Sequence, residues 1–179
     1  MSFSFPTVSQ NHKGYRPEQV DQFIGQLKQQ YLSPQNSYLR SQELRSKEFD
    51  LVNGGYQINL VDEAIDRLED KFADRELAAK SVDEKNHRAR EIKQLLSGRC
   101  ERPSKKRFDR TGIFLRGYNV VQVDEFMNQV SGHLDAQSLL ELSSVRHIVF
   151  KSTRNGYDES RVDLFIDRVI ELLQIERNS

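Results

Sequence analysis

Apolar side chains recur along this chain at the spacing of one helical face, and they do so four times. Counted from Val20, they fall at +3, +4, +7 and +11 as Phe23, Ile24, Leu27 and Tyr31. The same offsets hold Ala64, Ile65, Leu68 and Phe72 after Val61, and Phe126, Met127, Val130 and Leu134 after Val123. After Val162 they hold Phe165, Ile166, Val169 and Leu173. Each set places one apolar stripe on an otherwise polar helix, which buries that face and solvates the other.

Each stripe follows the same lead-in, Gly-Tyr, four residues, then Val-Asp. The copies are Gly14-Tyr15 to Val20-Asp21, Gly55-Tyr56 to Val61-Asp62, Gly117-Tyr118 to Val123-Asp124 and Gly156-Tyr157 to Val162-Asp163. The glycines are expected to take a positive φ in a turn, with each Tyr ring laid on the helix that follows. Pro17 fits a first helical turn, and Asn119 and Asp158 fit N-caps. Gln122 completes a capping box with Asn119, and Asn59 is the cap expected in the second copy. The repeated Asp residues fall early in their helices, where negative charge suits the N-terminal dipole end.

A second layer alternates. A Phe lies six residues before Gly in copies two and four (Phe49, Phe150) and nine before it in copies one and three (Phe5, Phe108). Gly14 to Gly117 is 103 residues and Gly55 to Gly156 is 101. A two-motif unit has therefore been duplicated, giving halves 1–98 and 108–179 with a basic linker at 99–107. The stretch from Asp74 to Leu96, free of Pro and Gly, predicts one long charged helix between the halves, mostly solvated and ending near Gly98. A break at Ser33-Pro34-Gln35-Asn36-Ser37 ends the first helix. The expected fold is all-α: four short-helix/loop–helix motifs in two tandem pairs. Their interfaces are formed by Val20, Phe23, Ile24, Val61, Ile65, Val123, Phe126, Val162, Phe165 and Ile166.

Copy four, Phe150-x5-Gly156-Tyr157-x4-Val162-Asp163-Leu164-Phe165-Ile166-Asp167-x-Val169, resembles the N-terminal domain of the DivIVA family. The chain as a whole is similar to the DivIVA-domain repeat proteins of actinobacteria. The resemblance implies a helix that pairs with a partner copy. It also implies a cytoplasmic scaffold at division septa and poles that recognises curved membrane and recruits division, wall-synthesis or chromosome-segregation proteins. The family's membrane contact is an exposed hydrophobic residue and a basic one just before Gly-Tyr. Copy three carries it as Phe114-Leu115-Arg116, whereas the other copies have His12-Lys13, Asn53-Gly54 and Arg154-Asn155 there. The expected function is thus a non-enzymatic adaptor or scaffold with protein partners in the division or cell-wall machinery. It would be either a monomer with intrachain motif pairing or a homodimer. The alternative is a peripheral membrane-binding protein using that tip. One buried Leu contributes ~1.5–3 kcal/mol and one basic residue near an anionic leaflet about 1 kcal/mol, so a single tip predicts weak membrane contact.

Composition narrows the remaining classes. Apolar residues make up 36% and charged residues 30%, which suits amphipathic helices better than a thick core. The 27 positive and 27 negative side chains cancel, so no global field draws in nucleic acid, and nucleic-acid binding is not expected. The local basic run from Arg99 to Arg110 is expected to be a solvated hinge, with phosphate of lipid or nucleic acid as the alternative ligand. Cys100, the one cysteine, forms no intrachain disulfide and suits a reducing compartment. Arg99 and Arg102 beside it favour the thiolate. His12, His87, His133 and His147 show no ligand spacing, and no phosphate-cradling loop or nucleophile elbow is present, so neither metal, cofactor nor enzymatic activity is expected. No apolar run nears the ~18 residues of a spanning helix. The N-terminal residues lack a basic segment followed by an apolar run. The expected location is the cytoplasm, with peripheral association at membrane, septum or pole.

Overall fold

The computed structural model describes residues 5–33 and 39–178. The predicted break at Pro34 to Ser37 lies outside these described residues. Among them the chain is mostly helical, with seven helices and four three-residue strands. They fall into two compact units, Met1–Ala79 and Lys80–Ser179. The first contains β1 (Lys13–Tyr15), α1 (Pro17–Leu32), α2 (Ser41–Arg45), β2 (Leu51–Asn53) and α3 (Ile58–Ala78). The second opens with α4 (Val82–Cys100) and then repeats the order as β3 (Arg116–Tyr118), α5 (Val120–Leu134), α6 (Leu142–Arg146), β4 (Ser152–Arg154) and α7 (Glu159–Arg177).

The chain is mainly helical as expected, and short antiparallel strand pairs accompany the helices. β1 pairs antiparallel with β2, setting Gly14 opposite Val52, and β3 pairs with β4, setting Gly117 opposite Thr153. Three residues are too few to print an alternating pattern in the sequence. These ladders form because two Gly-Tyr turns meet, a contact that local pattern does not encode.

The helix stripes lie where their period puts them. Val20, Val61, Val123 and Val162 are fully buried, and Phe23, Ile24, Ile65, Phe126 and Phe165 are buried with them. Burying each such side chain contributes about 1.5–3 kcal/mol. Ile166 is only half-buried and Tyr31 is exposed. Pro17 opens α1. Asn119 caps α5 by accepting from the Val121 and Gln122 amides at 3.0 and 3.2 Å. Asp158 caps α7 by accepting from the Arg161 amide at 3.1 Å. Two expected caps fail. Asn59 lies inside α3, which starts after Gln57 with no side-chain cap. Gln122 does not close a box; its Oε1 accepts from the Lys151 amide at 2.8 Å, just as Gln19 accepts from the Asp50 amide at 2.8 Å.

The long central helix is two helices. α3 ends at Ala78, and Ser81 starts α4 with a capping box: its Oγ accepts from the Glu84 amide at 3.2 Å, and Glu84 Oε2 accepts from the Ser81 amide at 2.7 Å. α4 runs past Gly98 to Cys100 and belongs to the second unit, where Ile92, Leu96 and Cys100 are buried as it packs on α5 and α7. The units therefore divide at Ala79, not at residue 98. Among the described residues the first unit shows no such covering helix. Leu172 and Ile175 of α7 are buried, while Lys71 and Asp74 hold the equivalent places on α3 and are exposed.

The segment 99–107 is exposed over residues 101–106 but is anchored at its end. Arg107 is buried, donating to the Asp124 carbonyl at 2.8 Å, Asn128 Oδ1 at 2.7 Å and the Arg102 carbonyl at 3.3 Å. The segment that follows α4 is thus tied to α5 by a buried guanidinium.

Candidate functional site

In each unit the two Gly-Tyr turns cross backbone to backbone. The Tyr15 amide donates to the Tyr56 carbonyl at 3.0 Å, and the Tyr56 amide donates back to Tyr15 at 2.8 Å. Tyr118 and Tyr157 repeat the exchange at 3.0 and 2.9 Å. The glycines are required by this approach. A Cβ on Gly55 would lie 2.5 Å from the carbonyl oxygens of Gly14 and Tyr15, and Gly14, Gly117 and Gly156 are blocked by opposing backbone in the same way. None of the four takes a positive φ, contrary to expectation. That conformation falls one residue earlier in copies two and four, at Gly54 (φ 68°) and Asn155 (φ 51°), and Asn is among the residues that tolerate it best.

The side chains cross as well. Tyr56 Oη donates to the Asp21 carboxylate at 3.2 and 3.3 Å, and Tyr157 Oη donates to Asp124 Oδ1 at 3.0 Å. Tyr15 is hydrogen-bonded to Asp62, and Tyr118 to Asp163. Each Tyr therefore serves the helix of the other copy rather than its own, and each repeated Asp receives a hydroxyl from across the pair. The Phe layer follows the same rule: Phe5 meets Tyr56 and Phe108 meets Tyr157, both at 5.4 Å between centroids. Phe49 meets Tyr15 at 5.2 Å and Phe150 meets Tyr118 at 5.3 Å. Burial first, then the facing carboxylate, pushes the Tyr15 and Tyr118 hydroxyls up to about 12. The same causes raise Tyr56 and, with burial again foremost, Tyr157.

The two units differ at one node. Asp21 is exposed, but Asp124 is buried and accepts also from Ser104 Oγ at 2.8 Å and the Lys105 amide at 2.7 Å. The Arg107 amide donates to Tyr157 Oη at 3.1 Å. Cys100 lies in this region too, buried with its thiol 3.5 Å from the Met127 carbonyl. Burial pushes the thiol up to about 11, against the lowered value expected from its arginine neighbours.

These turns are consumed in folding and leave one conspicuous surface. Between Gly112 (φ 94°) and β3, Phe114 is 90% exposed, Ile113 68% and Leu115 64%. The backbone beneath is held: the Leu115 amide donates to Gly112 at 3.3 Å, and the Leu115 carbonyl accepts from the Asn155 amide at 3.0 Å. Arg116 follows, exposed, donating from Nε to Ser152 Oγ at 3.3 Å. Sequence reasoning found Phe114, Leu115 and Arg116 but missed Ile113, although it continues the same apolar run. It also missed Arg154, set opposite Arg116 by the strand register. Among the described residues no helix is long and apolar enough to cross a membrane, and no group of three or more His, Cys, Asp or Glu is placed to hold a metal ion. Compared with protein-family models, curated proteins and solved structures, the chain finds no match.

Proposed function

We propose that the chain is a non-enzymatic adaptor of the DivIVA type, whose two motif pairs close within one chain and leave their outer surfaces for protein partners of the division or wall-growth machinery. The observation that carries this reading is the reciprocal Tyr–Asp crossing, present in both units. It occupies the stripes through which a single motif would pair with a second molecule, so partners meet the outside of the pairs. The chain then acts in the cytoplasm, at septum or pole. A fluorescent fusion imaged in dividing cells tests the address: septal or polar foci are expected, and an even cytoplasmic signal contradicts it.

A second reading, peripheral membrane binding, is favoured by the exposed run Ile113-Phe114-Leu115 ahead of Arg116. Three apolar side chains, each contributing ~1.5–3 kcal/mol on full burial, make a stronger anchor than one. Vesicle flotation of wild type against Leu115→Ser separates the readings. Loss of flotation in the variant supports insertion, and equal flotation of the two removes the tip from the account.

A further inference from the structure

α1 carries Gln19, Gln22 and Gln26 at i, i+3 and i+7, which sets three carboxamides in one row along the helix. The row lines one side of a groove of about 480 Å³, and residues 47–50, ahead of β2, line the other. That volume lies in the range of ligand sites, ~300–1,000 Å³. Gln19 shows what such a carboxamide does with extended backbone. Its Oε1 accepts from the Asp50 amide at 2.8 Å, and its Nε2 donates to the Asp50 carboxylate at 2.9 Å. Gln22 and Gln26 continue the row, exposed and without a partner among the described residues. Across the groove, the Lys47 ammonium stands over the rings of Phe23 and Phe49, 5.7 and 5.8 Å from their centroids. It meets no carboxylate among the described residues. The second unit places Glu125 where Gln22 stands and Ile148-Val149 where Lys47-Glu48 stand. Both units build the same motif pair, so the cation and the open carboxamides are not needed to fold it.

We infer that this groove binds an extended segment of a protein partner through one acidic side chain. Lys47 takes the carboxylate, and Gln22 and Gln26 take the segment's backbone as Gln19 takes that of Asp50. A carboxamide donates and accepts, as a peptide unit does. The two rings hold the ammonium in place before the partner arrives, so less side-chain freedom is lost on binding. Glu48 lines the same groove and repels a second acid, so a segment with a single acid fits better than an acidic run or a chain of phosphates. The inference rests on the adaptor reading above and gives one of its outer surfaces a partner chemistry.

The test is panning of a displayed library of random dodecapeptides on the full chain, with Lys47→Gln as the comparison target. Peptides enriched on wild type are expected to share one acidic residue. By fluorescence anisotropy, an enriched peptide binds Lys47→Gln about ten-fold more weakly, the loss of one charge-assisted hydrogen bond. Lys47→Arg keeps most of the affinity. Gln26→Leu, which leaves every charge in place, weakens binding about three-fold, the loss of one neutral hydrogen bond. Lys47 and Gln26 are exposed, so these variants melt near wild type. Lys71→Gln removes the same charge from α3 and leaves binding unchanged. Equal losses in Lys47→Gln and Lys71→Gln overturn the groove in favour of overall charge. Enriched peptides that lack an acid, or no enrichment on wild type over Lys47→Gln, overturn the inference. Septal or polar foci would still stand as the separate test of the adaptor reading.

Discussion

The Tyr157 hydroxyl donates to Asp124 Oδ1 at 3.0 Å, crossing to a carboxylate 33 residues upstream on the helix of the neighbouring copy. In the first unit Tyr56 makes the corresponding bond to Asp21 at 3.2 Å, but there the carboxylate is exposed. A hydrogen bond to a buried charge is worth ~1.5–3 kcal/mol, and a solvated one about 0.5–1.5 kcal/mol. Tyr157→Phe should therefore destabilise the second unit by about 2 kcal/mol, and Tyr56→Phe should destabilise the first by about half as much. Chemical denaturation gives the sizes, and amide exchange in α5 and α1 assigns each loss to its unit.

The glycines of the crossing make a sharper contrast. At Gly55 or Gly117 an added methyl meets opposing backbone, which cannot rotate away. Either substitution to Ala should cost about 3 kcal/mol, the upper range for overpacking. Gly25 lies in α1 with nothing within 4 Å of a built Cβ. Gly25→Ala should instead stabilise by about 0.5–1 kcal/mol, from lower chain entropy in the unfolded state and better helix propensity. Thermal melts of the variants should move in opposite directions.

Alkaline pH should loosen both pairs. Tyr15 and Tyr118 ionise at about 12 in the folded chain, against an ordinary value near 10. Their folded values are raised, so the stability they contribute is complete below pH 10 and is lost as pH climbs from 10 towards 12. Tyrosinate absorbance followed with pH should show these two hydroxyls titrating towards pH 12, above the ordinary value near 10. Ionisation of all tyrosines together near pH 10, in a chain that is still folded, would contradict the buried crossing.

Acid should act on the attachment of α4. Burial pushes Glu171 up, but the Arg88 and Arg168 guanidinium groups, each 2.7 Å away, outweigh it and hold the carboxyl below its ordinary value. Glu176 is lowered against its own burial by Lys93 at 2.8 Å and His133 at 2.9 Å. These depressed values contribute stability above the ordinary carboxylate range, near pH 4.5, that disappears as pH falls through the folded values. Glu171→Gln should flatten the acid limb of the stability curve, measured by denaturant titrations from pH 7 to pH 3.

What the sequence disclosed follows from the range of the forces involved. The Val stripes and the caps at Asn119 and Asp158 are set by residues within one or two turns, so period and residue type reveal them. The break before α4 was equally local: Ser81-Val82-Asp83-Glu84 is a capping-box pattern, obscured by the charged run on either side. The Gly-Tyr contacts were not legible. Repetition marks Gly14 and Gly55 as important, but only the approach of a second turn, about 40 residues away in the chain, distinguishes lack of space from positive φ. For the same reason Asp124 reads as a dipole partner until Tyr157 and Lys105 converge on it. Arg107, one of several arginines in a basic run, gives no sequence sign that its guanidinium is buried against Asn128. At the candidate site, Phe114 to Arg116 was readable as a motif. Arg154 needed the strand register.

Whether the pairs close within one chain is tested most directly by the denaturation midpoint as chain concentration varies. An intrachain crossing predicts the same midpoint across a roughly hundred-fold range. A pair assembled from two molecules would gain about 2.7 kcal/mol over that range by mass action, and a midpoint rising accordingly would contradict the account.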